Sequence, residues 1–252
     1  QNDILPFNNL KENGVFPEDM GRFAGLKAKK DDKKFIGFLK DDKVLIEVTP
    51  VEHDYAHCQR CHEPVIFRTT KQWFFKTEDL KEKMLKANEK VGWVPEAAKN
   101  AFNSWLTNLR DNSITKQRYW GTPAPIWVCD KCGEYEVIGS VKELEKHGKV
   151  PKNLHKPWID DVKWDCKCKG KMVRLPDVLD VWIDAGCASW ACLDYPQRTD
   201  LFEKYFPADF ILEGKDQIRG WFSSLFNVGY MVTDKAPYNE VLYYRFIMAK
   251  DG

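Results

Sequence analysis

Six of the eight cysteines in this chain fall in close pairs, and no other feature narrows the possible folds as much. The pairs are Cys58-x-x-Cys61, Cys129-x-x-Cys132 and Cys166-x-Cys168, while Cys187 and Cys192 stand apart. The N-terminus, QNDILPFNN, has no basic-then-apolar signal peptide. Close pairs without a secretion signal point to metal ligands or a redox pair rather than a disulfide framework. No apolar run approaches the ~18 residues of a membrane span, so a membrane partner is excluded and a cytoplasmic location expected. Lys+Arg number 39 against 38 Asp+Glu, so any contact with a polyanion must come from a local patch. At 43% hydrophobic over 252 residues the chain can bury a real core and is not mostly disordered.

Cys129, Cys132, Cys166 and Cys168 form two thiolate pairs with 33 residues between them. Two such pairs on facing turns supply the four soft donors, each at ~2.3 Å, that a tetrahedral Zn2+ needs. Gly133 and Gly170 follow the pairs and suit tight knuckle turns. A redox dithiol is the weaker reading, since no thioredoxin-like setting is visible. Cys58 and Cys61 are half a site. Either His57 and His62 complete it, or its partner pair lies in a segment outside these residues. The second is preferred, because Gln1 is not an initiator Met and the chain closes on VLYYRFIMAKDG as a turn opens, so we expect an internal piece of a longer protein. Cys187 and Cys192 read as buried apolar thiols.

Along the chain, Phe35, Ile36 and Leu39 have helical spacing and VLIEV (44–48) reads as a strand. KAKKDDKKF is a solvated helix face. PVIFRTTKQWFF (64–75) is β-rich. Thr77 is placed to N-cap a helix with Leu80, Met84 and Val91 on one face. A second helix opens at Pro95 and buries Ala98, Phe102, Trp105, Leu106 and Leu109. Between 122 and 176 the composition changes to cysteines, prolines and short strands, with one helix signalled by the capping box Ser140/Glu143 and ended by Gly148. From 177 onward the pattern is strand (VLDVWID), strand (ADFILEG), helix (Ile218, Phe222, Leu225, Phe226) and strand (VLYYRFIM). That βαβ pattern implies a parallel sheet with a right-handed crossover.

Open α/β sheets bind ligands at the carboxyl ends of their strands. There this chain places Asp184 to Gly186, then Glu213, Gly214, Asp216 and Gln217. The carboxylates and amide suit hydroxyls and an ammonium group, and Trp182 and Trp221 bring apolar walls. Helix-capping acids and core tryptophans would explain the same residues equally well. SITKQRYWG (113–121) clusters Lys116, Arg118, Tyr119 and Trp120 on one turn. Such a turn could meet phosphate or a stacked base, or be a buried Trp with a structural Arg.

These motifs together resemble the class I aminoacyl-tRNA synthetases of the isoleucine/valine/leucine group. HCQRC…PVIFR…QWFF is similar to the return from the editing insertion, SITKQRYWGTPAPIW to the family's SRQRYWG block, and PDVLDVWIDAG and ADFILEGKDQIRGWF to its active-site strands. The isoleucine branch of archaeal-like type fits best, since the valine enzymes read DTWFSSA and GxDIxxFW here. The resemblance implies an α/β fold, half of a Rossmann-like parallel sheet in a catalytic domain, with a small zinc-bound insertion and the tail of a β-rich editing domain. Residues 1–56 would be the editing tail, 57–121 the return with the zinc half-site, 122–176 the zinc insertion and 177–252 the second Rossmann half.

By the same resemblance, Glu213, Gly214, Asp216 and Gln217 would contact the ribose hydroxyls and amino group of isoleucyl-adenylate. Trp182 and Trp221 would wall the side-chain pocket. Cys129, Cys132, Cys166 and Cys168 would hold one zinc, and Cys58 and Cys61 half of another. The full enzyme would take isoleucine, ATP with Mg2+ and tRNA(Ile) as partners, as a monomer. The family's catalytic HIGH and KMSKS motifs do not occur in these residues, so no catalytic residue is assigned and the piece alone is expected to be inactive. A valine-enzyme piece and a non-catalytic zinc-ribbon module are the alternatives. The chain departs from the family at Tyr244-Arg245, where a small His-Gly pair usually borders the adenine site. TKQRYWG for SRQRYWG and DVWIDAG for DVWFDSG are milder changes.

Overall fold

The computed structural model describes residues 7–245 and 248–250. They form two compact units, 1–71 and 72–252. In the first, the helical spacing of KKFIGFLKDD gives helix α1, Asp32–Asp41, opened by Asp31, which accepts from the Lys27 N–H at 2.7 Å. Its Phe35 and Phe38 meet Phe16 and Phe23 in a cluster of rings 5.4–6.0 Å apart. The strand expected at 44–48 is absent. No ladder partner runs beside it among the described residues of this unit, and Ile46 is fully exposed.

The second unit begins with β1, Phe74–Phe75, the one short strand in the stretch expected to be β-rich. A 3-10 turn at Glu78–Leu80 leads into α2, Lys81–Asn88. Thr77 does not cap it through its side chain, which donates instead to the Arg110 carbonyl at 2.8 Å. Asp111, 34 residues away, accepts the Thr77 and Glu78 N–H groups at 2.9 and 3.2 Å, so the cap comes from a distant acid. Then follow β2, Gly92–Val94, and α3, Ala97–Thr107. Pro95 lies just before that helix rather than in its first turn. The stripe Ala98, Phe102, Leu106 and Leu109 is buried as its spacing predicts.

Next come β3, Asn112–Ser113, which pairs with β1, and β4, Thr115–Lys116. β5, Ile126–Cys129, and β6, Tyr135–Val137, lead to α4, Val141–Glu145. Ser140 accepts from the Glu143 N–H at 3.2 Å, and Glu143 reaches back to the Gly139 N–H at 2.7 Å, a capping box displaced by one residue on its return arm. β7, Trp164–Asp165, and β8, Lys171–Arg174, complete an antiparallel sheet ordered β6-β5-β8-β7. Its own core holds Trp127, Ile138, Leu144, Ile159, Val162 and Met172. Below it Arg174, its side chain without solvent exposure, meets Asp160 at 2.6 Å and donates to the Asp177 carbonyl at 2.9 Å. That pairing is what permits a guanidinium in the interior.

The segment expected as the strand VLDVWID divides. Only β9, Val178–Leu179, is strand, and it pairs antiparallel with β4. Asp180 then accepts the Trp182 N–H at 3.0 Å and caps α5, Val181–Gly186. An Asp followed by residues at helical spacing is an N-cap signal, and it outweighs the β-propensity of Val and Ile here. Short helices α6, Ala188–Ala191, and α7, Asp200–Tyr205, follow.

The alternation after residue 207 yields β10, Ala208–Gly214, a 3-10 turn at Lys215–Arg219, α8, Trp221–Thr233, and β11, Tyr238–Tyr244. β10 and β11 pair in parallel, and β2 adds on the far side of β11 in the order β10-β11-β2, also parallel. The sheet is half-covered by α2, α3 and α8 through Met84, Trp93, Phe102, Leu106, Phe222 and Phe226. Buried Asn88 is satisfied on both sides, donating to Asn103 at 2.9 Å and accepting from the Trp93 indole at 3.0 Å.

Tyr238 is buried at the root of β11 and donates to the Phe222 carbonyl at 3.2 Å. Burial holds its phenol well above the usual value, so the native state keeps a proton that the unfolded chain releases above about pH 10. The unfolded state then binds fewer protons, and stability falls as pH rises beyond that point. Tyr238→Phe should cost about 1 kcal/mol at neutral pH and make the alkaline decline shallower, read by urea unfolding at about pH 8 and about pH 11. An unchanged alkaline slope would show that Tyr238 does not carry it.

Candidate functional site

Four sulfurs converge at one edge of the antiparallel sheet. β5 ends on Cys129, whose N–H donates to the Glu134 carbonyl at 2.8 Å while the Gly133 N–H returns to the Cys129 carbonyl at 3.1 Å. This turn needs a left-handed residue, and Gly133 supplies it at φ +75°. The facing turn is closed by Cys166 N–H to the Gly170 carbonyl at 2.9 Å. Gly170 is required for a different reason: a Cβ there would lie 2.7 Å from both the Cys129 Sγ and the Lys131 Cβ. Pairing of β5 with β8 and of β7 with β8 brings the two turns together.

The Sγ atoms of Cys129, Cys132, Cys166 and Cys168 all lie within 4.8 Å of one another. Cys129 and Cys168 are 3.4 Å apart, Cys132 and Cys166 3.8 Å. Four sulfurs at ~2.3 Å from a tetrahedral ion would sit about 3.8 Å apart, so the cluster fits a metal with little adjustment. The Cys132 N–H, with that of Lys131 and the neighbouring sulfurs, overcomes burial and draws the Cys129 thiol down to about 6. Cys132 goes the other way, up to about 12: the Glu134 N–H pulls it down, but the sulfurs of Cys168, Cys129 and Cys166 and burial together outweigh it. One proton leaves readily and the next is held, because thiolates this close repel each other until a cation joins them.

Cys58 and Cys61 form the same kind of turn. The Cys58 N–H donates to the Glu63 carbonyl at 2.9 Å, and the His62 N–H to the Cys58 carbonyl at 2.8 Å. His62 takes the left-handed position at φ +58° that Gly133 takes in the other knuckle. Backbone N–H groups of Cys61 and Arg60 lower the Cys58 thiol. Among the described residues no third metal-ligating side chain joins this pair. Cys187 is half-buried and pushed up to about 11 by burial and then by Asp184, whereas Cys192 is exposed rather than buried as expected.

The second site lies at the carboxyl end of β10. Glu213 and Gly214 stand opposite Tyr243 and Tyr244 of β11. The Tyr244 hydroxyl donates to Glu213 Oε2 at 3.3 Å, so the residue that departs from the family pattern packs directly on the acid. The charge of Glu213, then burial, holds the Tyr244 phenol up and neutral. A Cβ on Gly214 would come 2.7 Å from Asp216 Oδ1, so only glycine lets Asp216 fold back over the strand end. The Gln217 amide donates to Asp216 Oδ2 at 2.8 Å, and its Oε1 accepts the Trp221 N–H at 2.7 Å. Gln217 is thus a helix cap as well as a candidate ligand contact. Glu213, Gly214, Asp216 and Gln217 come together as expected.

The two tryptophans are split. Trp182 stands on the first turn of α5, 45% exposed, beside a cavity of about 270 Å³ with Arg110, Arg219, Ser223 and Asn227. Trp221 does not line that cavity; its indole donates to the Ala185 carbonyl at 3.3 Å. The expected adjacency of two parallel strand ends at 184 and 213 does not occur, because residues 181–186 are helix and β9 belongs to another sheet. Gly220 links the two indoles, and sequence reasoning passed over it. A Cβ there would lie 2.5 Å from Gln217 Oε1 and 3.4 Å from Trp182 Cη2. Its φ −144° with ψ −114° was the unreadable part of the signal; the glycine itself, just before an apolar helical stripe, was visible.

Residues 20–252 match the family model of the class I tRNA synthetases (I, L, M and V). The chain belongs to this family. It is 45% identical over 247 residues to an isoleucine–tRNA ligase of Archaeoglobus fulgidus, which covers 98% of this chain and 24% of that protein. It is 44% identical to an isoleucine–tRNA ligase of Methanopyrus kandleri, over 99% of this chain and 25% of that protein. A solved structure of Mycobacterium tuberculosis methionyl-tRNA synthetase bound by methionyl-adenylate is similar with a TM-score of 0.46 and 20% identity, over 78% of this chain and 30% of that chain. The chain therefore spans about a quarter of the length of the curated relatives it matches. The parallel sheet β10-β11-β2 is part of a class I synthetase catalytic domain.

The four-sulfur cluster makes a measurable claim. The chain should retain about one metal ion through Cys129, Cys132, Cys166 and Cys168, and the double variant Cys166→Ser/Cys168→Ser should lose it, by elemental analysis. Gly170→Ala should weaken metal affinity by about 10-fold or more, the usual cost of disturbing what supports a ligand. Metal should be released as pH falls, since protons compete for the thiolates. Full metal content in the double variant would place the ion elsewhere.

Proposed function

We propose that this chain is the part of an isoleucyl-tRNA synthetase that binds the ribose and amino group of the aminoacyl-adenylate, in an enzyme that activates isoleucine with ATP and transfers it to tRNA(Ile). The observation that carries the reading is the convergence of Glu213, Gly214, Asp216 and Gln217 at the end of a parallel strand, in a chain that is 45% identical to an isoleucine–tRNA ligase. Two carboxylates and a held amide offer acceptors to hydroxyls and to an ammonium group, and Trp182 and Trp221 supply apolar surface to the side chain. Mg2+ would accompany ATP as substrate. A valine-enzyme identity and a bare zinc-ribbon module are not favoured, since the relatives named here are isoleucine ligases and a ribbon has no use for a parallel sheet.

In this reading the ion held by Cys129, Cys132, Cys166 and Cys168 is a structural zinc, because four thiolates leave no open position for chemistry. It fastens residues 122–176 as an inserted module. Residues 1–56 would be the tail of an editing domain and 57–121 the return to the catalytic domain, with Cys58 and Cys61 half of a second zinc site. The enzyme would work in the cytoplasm as a monomer.

Catalysis in such a site is positioning and charge stabilisation. Asp216 is the acid to remove. In an intact enzyme carrying this segment, Asp216→Ala should slow isoleucine-dependent pyrophosphate exchange about 10- to 150-fold, the equivalent of ~1.5–3 kcal/mol for a hydrogen bond to a charged group. Gln217→Ala should do the same and also lower Tm through the lost cap. Wild-type exchange by Asp216→Ala would overturn the assignment. A Tm loss without a rate loss in Gln217→Ala would leave that residue as a cap alone.

A further inference from the structure

The turn at residues 117–121 presents two large aromatic side chains to solvent and is built too firmly for that to be idle. Tyr119 and Trp120 are 63% and 64% exposed. The indole of Trp120 lies flat on the His155 ring, with centroids 4.7 Å apart and planes within 8°, so one face is backed and the other open. The Lys156 ammonium sits 5.2 Å from the Tyr119 ring and is pinned by donating to the Pro176 carbonyl at 2.7 Å. The turn is anchored from below. Gly121, at φ +150°, leaves no room for a Cβ above Val178. The Leu179 N–H donates to the Thr122 carbonyl at 2.7 Å, and the Thr122 hydroxyl to Asp184 at 3.0 Å.

Charge selects the partner. The stretches 115–125 and 149–157 that bear these rings contain Lys116, Arg118, Lys149, Lys152 and Lys156, and no Asp or Glu. Lys116 is occupied by Asp180 at 2.9 Å; Arg118 and Lys152 are exposed. A chain with a formal net charge of +1 has gathered one sign around two open π-faces. We propose that Tyr119, Trp120, His155 and Lys156 form a stacking surface for unpaired nucleotides of an RNA. A base extends the Trp120–His155 stack on its open side, and the flanking cations meet its phosphates. A duplex hides the faces that this surface needs. The surface deepens the synthetase reading only in making the RNA a tRNA; stacking itself is tested without aminoacylation.

The test is fluorescence anisotropy of a labelled, unstructured oligoribonucleotide of about 8 nucleotides, within the size such surfaces hold, titrated with the 252-residue chain beside its blunt duplex. The single strand should bind more tightly. Trp120→Ala should weaken it about 10-fold or more, Trp120→Phe should keep most of the affinity, and Lys156→Ala should lower the salt slope by about one. Unchanged metal content and Tm in Trp120→Phe and Lys156→Ala keep the comparison valid if the alanine variant folds poorly. Wild-type affinity in Trp120→Ala, equal binding of duplex and single strand, or no binding of RNA where a protein is bound through the same rings would overturn the proposal. A synthetase that loses pyrophosphate exchange at Asp216→Ala yet ignores RNA at Trp120 would separate failure here from failure of the reading above.

Discussion

Parallel pairing of Ala208–Gly214 with Tyr238–Tyr244 is the constraint from which the sheet-end site follows. Two parallel neighbours cannot be joined by a hairpin, so the chain must leave the end of the first strand, cross over a face and re-enter from the other end. It leaves through Lys215–Arg219 and crosses as α8. Every residue of that exit, from Glu213 to Gly220, is therefore forced into a few ångströms at one sheet edge. Glycine is used at 214 and 220 because Asp216 and Gln217 fold back into the space a Cβ would take. The polar cluster is a product of chain reversal as much as of any ligand, and the same hydrogen bond from Trp221 N–H to Gln217 serves both.

The metal-bearing sheet solves a different problem. Its own core is seven buried residues, one of them the ligand Cys129 itself. A core that small stabilises little without a covalent or metal staple. The thiolate cluster and the buried pair of Arg174 with Asp160 sit at opposite ends of β8 and close the sheet where apolar contacts run out. Metal loss is expected to loosen this module, whereas the parallel sheet, with Phe102, Phe222, Phe226 and Tyr238 fully enclosed, has a core of its own.

Much of this was legible in the sequence, and the misses have a common cause. The helix of Ala98, Phe102 and Leu106, the capping box at Ser140, the strand–helix–strand after residue 207 and the four-sulfur cluster all rest on local spacing, which a sequence displays. Residues 44–48 and 178–184 are apolar and β-branched, as strands are, but a strand exists only with a partner. Val178 and Leu179 found one in β4, the rest did not, and Asp180 took the following turn as an N-cap. The cap on α2 from Asp111 and the apposition of Gly220 with Trp182 depend on contacts 33 and 38 positions apart, which no local pattern encodes.

Asp180 shows how these levels meet. One oxygen caps α5 and so fixes the direction in which Trp182 projects; the other holds Lys116 on the strand before the Tyr119–Trp120 turn. Thr122, on the far side of that turn, binds Asp184 one helical turn further along α5. The aromatic turn and the Trp182 wall therefore hang from the same six-residue helix by two polar contacts. A helix that short has little stability of its own. Its position is set by packing against α8, through Gly186 closing on the Ser224 carbonyl and Val228. Any displacement of α8 at the sheet end is thus transmitted through α5 to the turn, and binding at one place is mechanically tied to the other through elements with defined contacts.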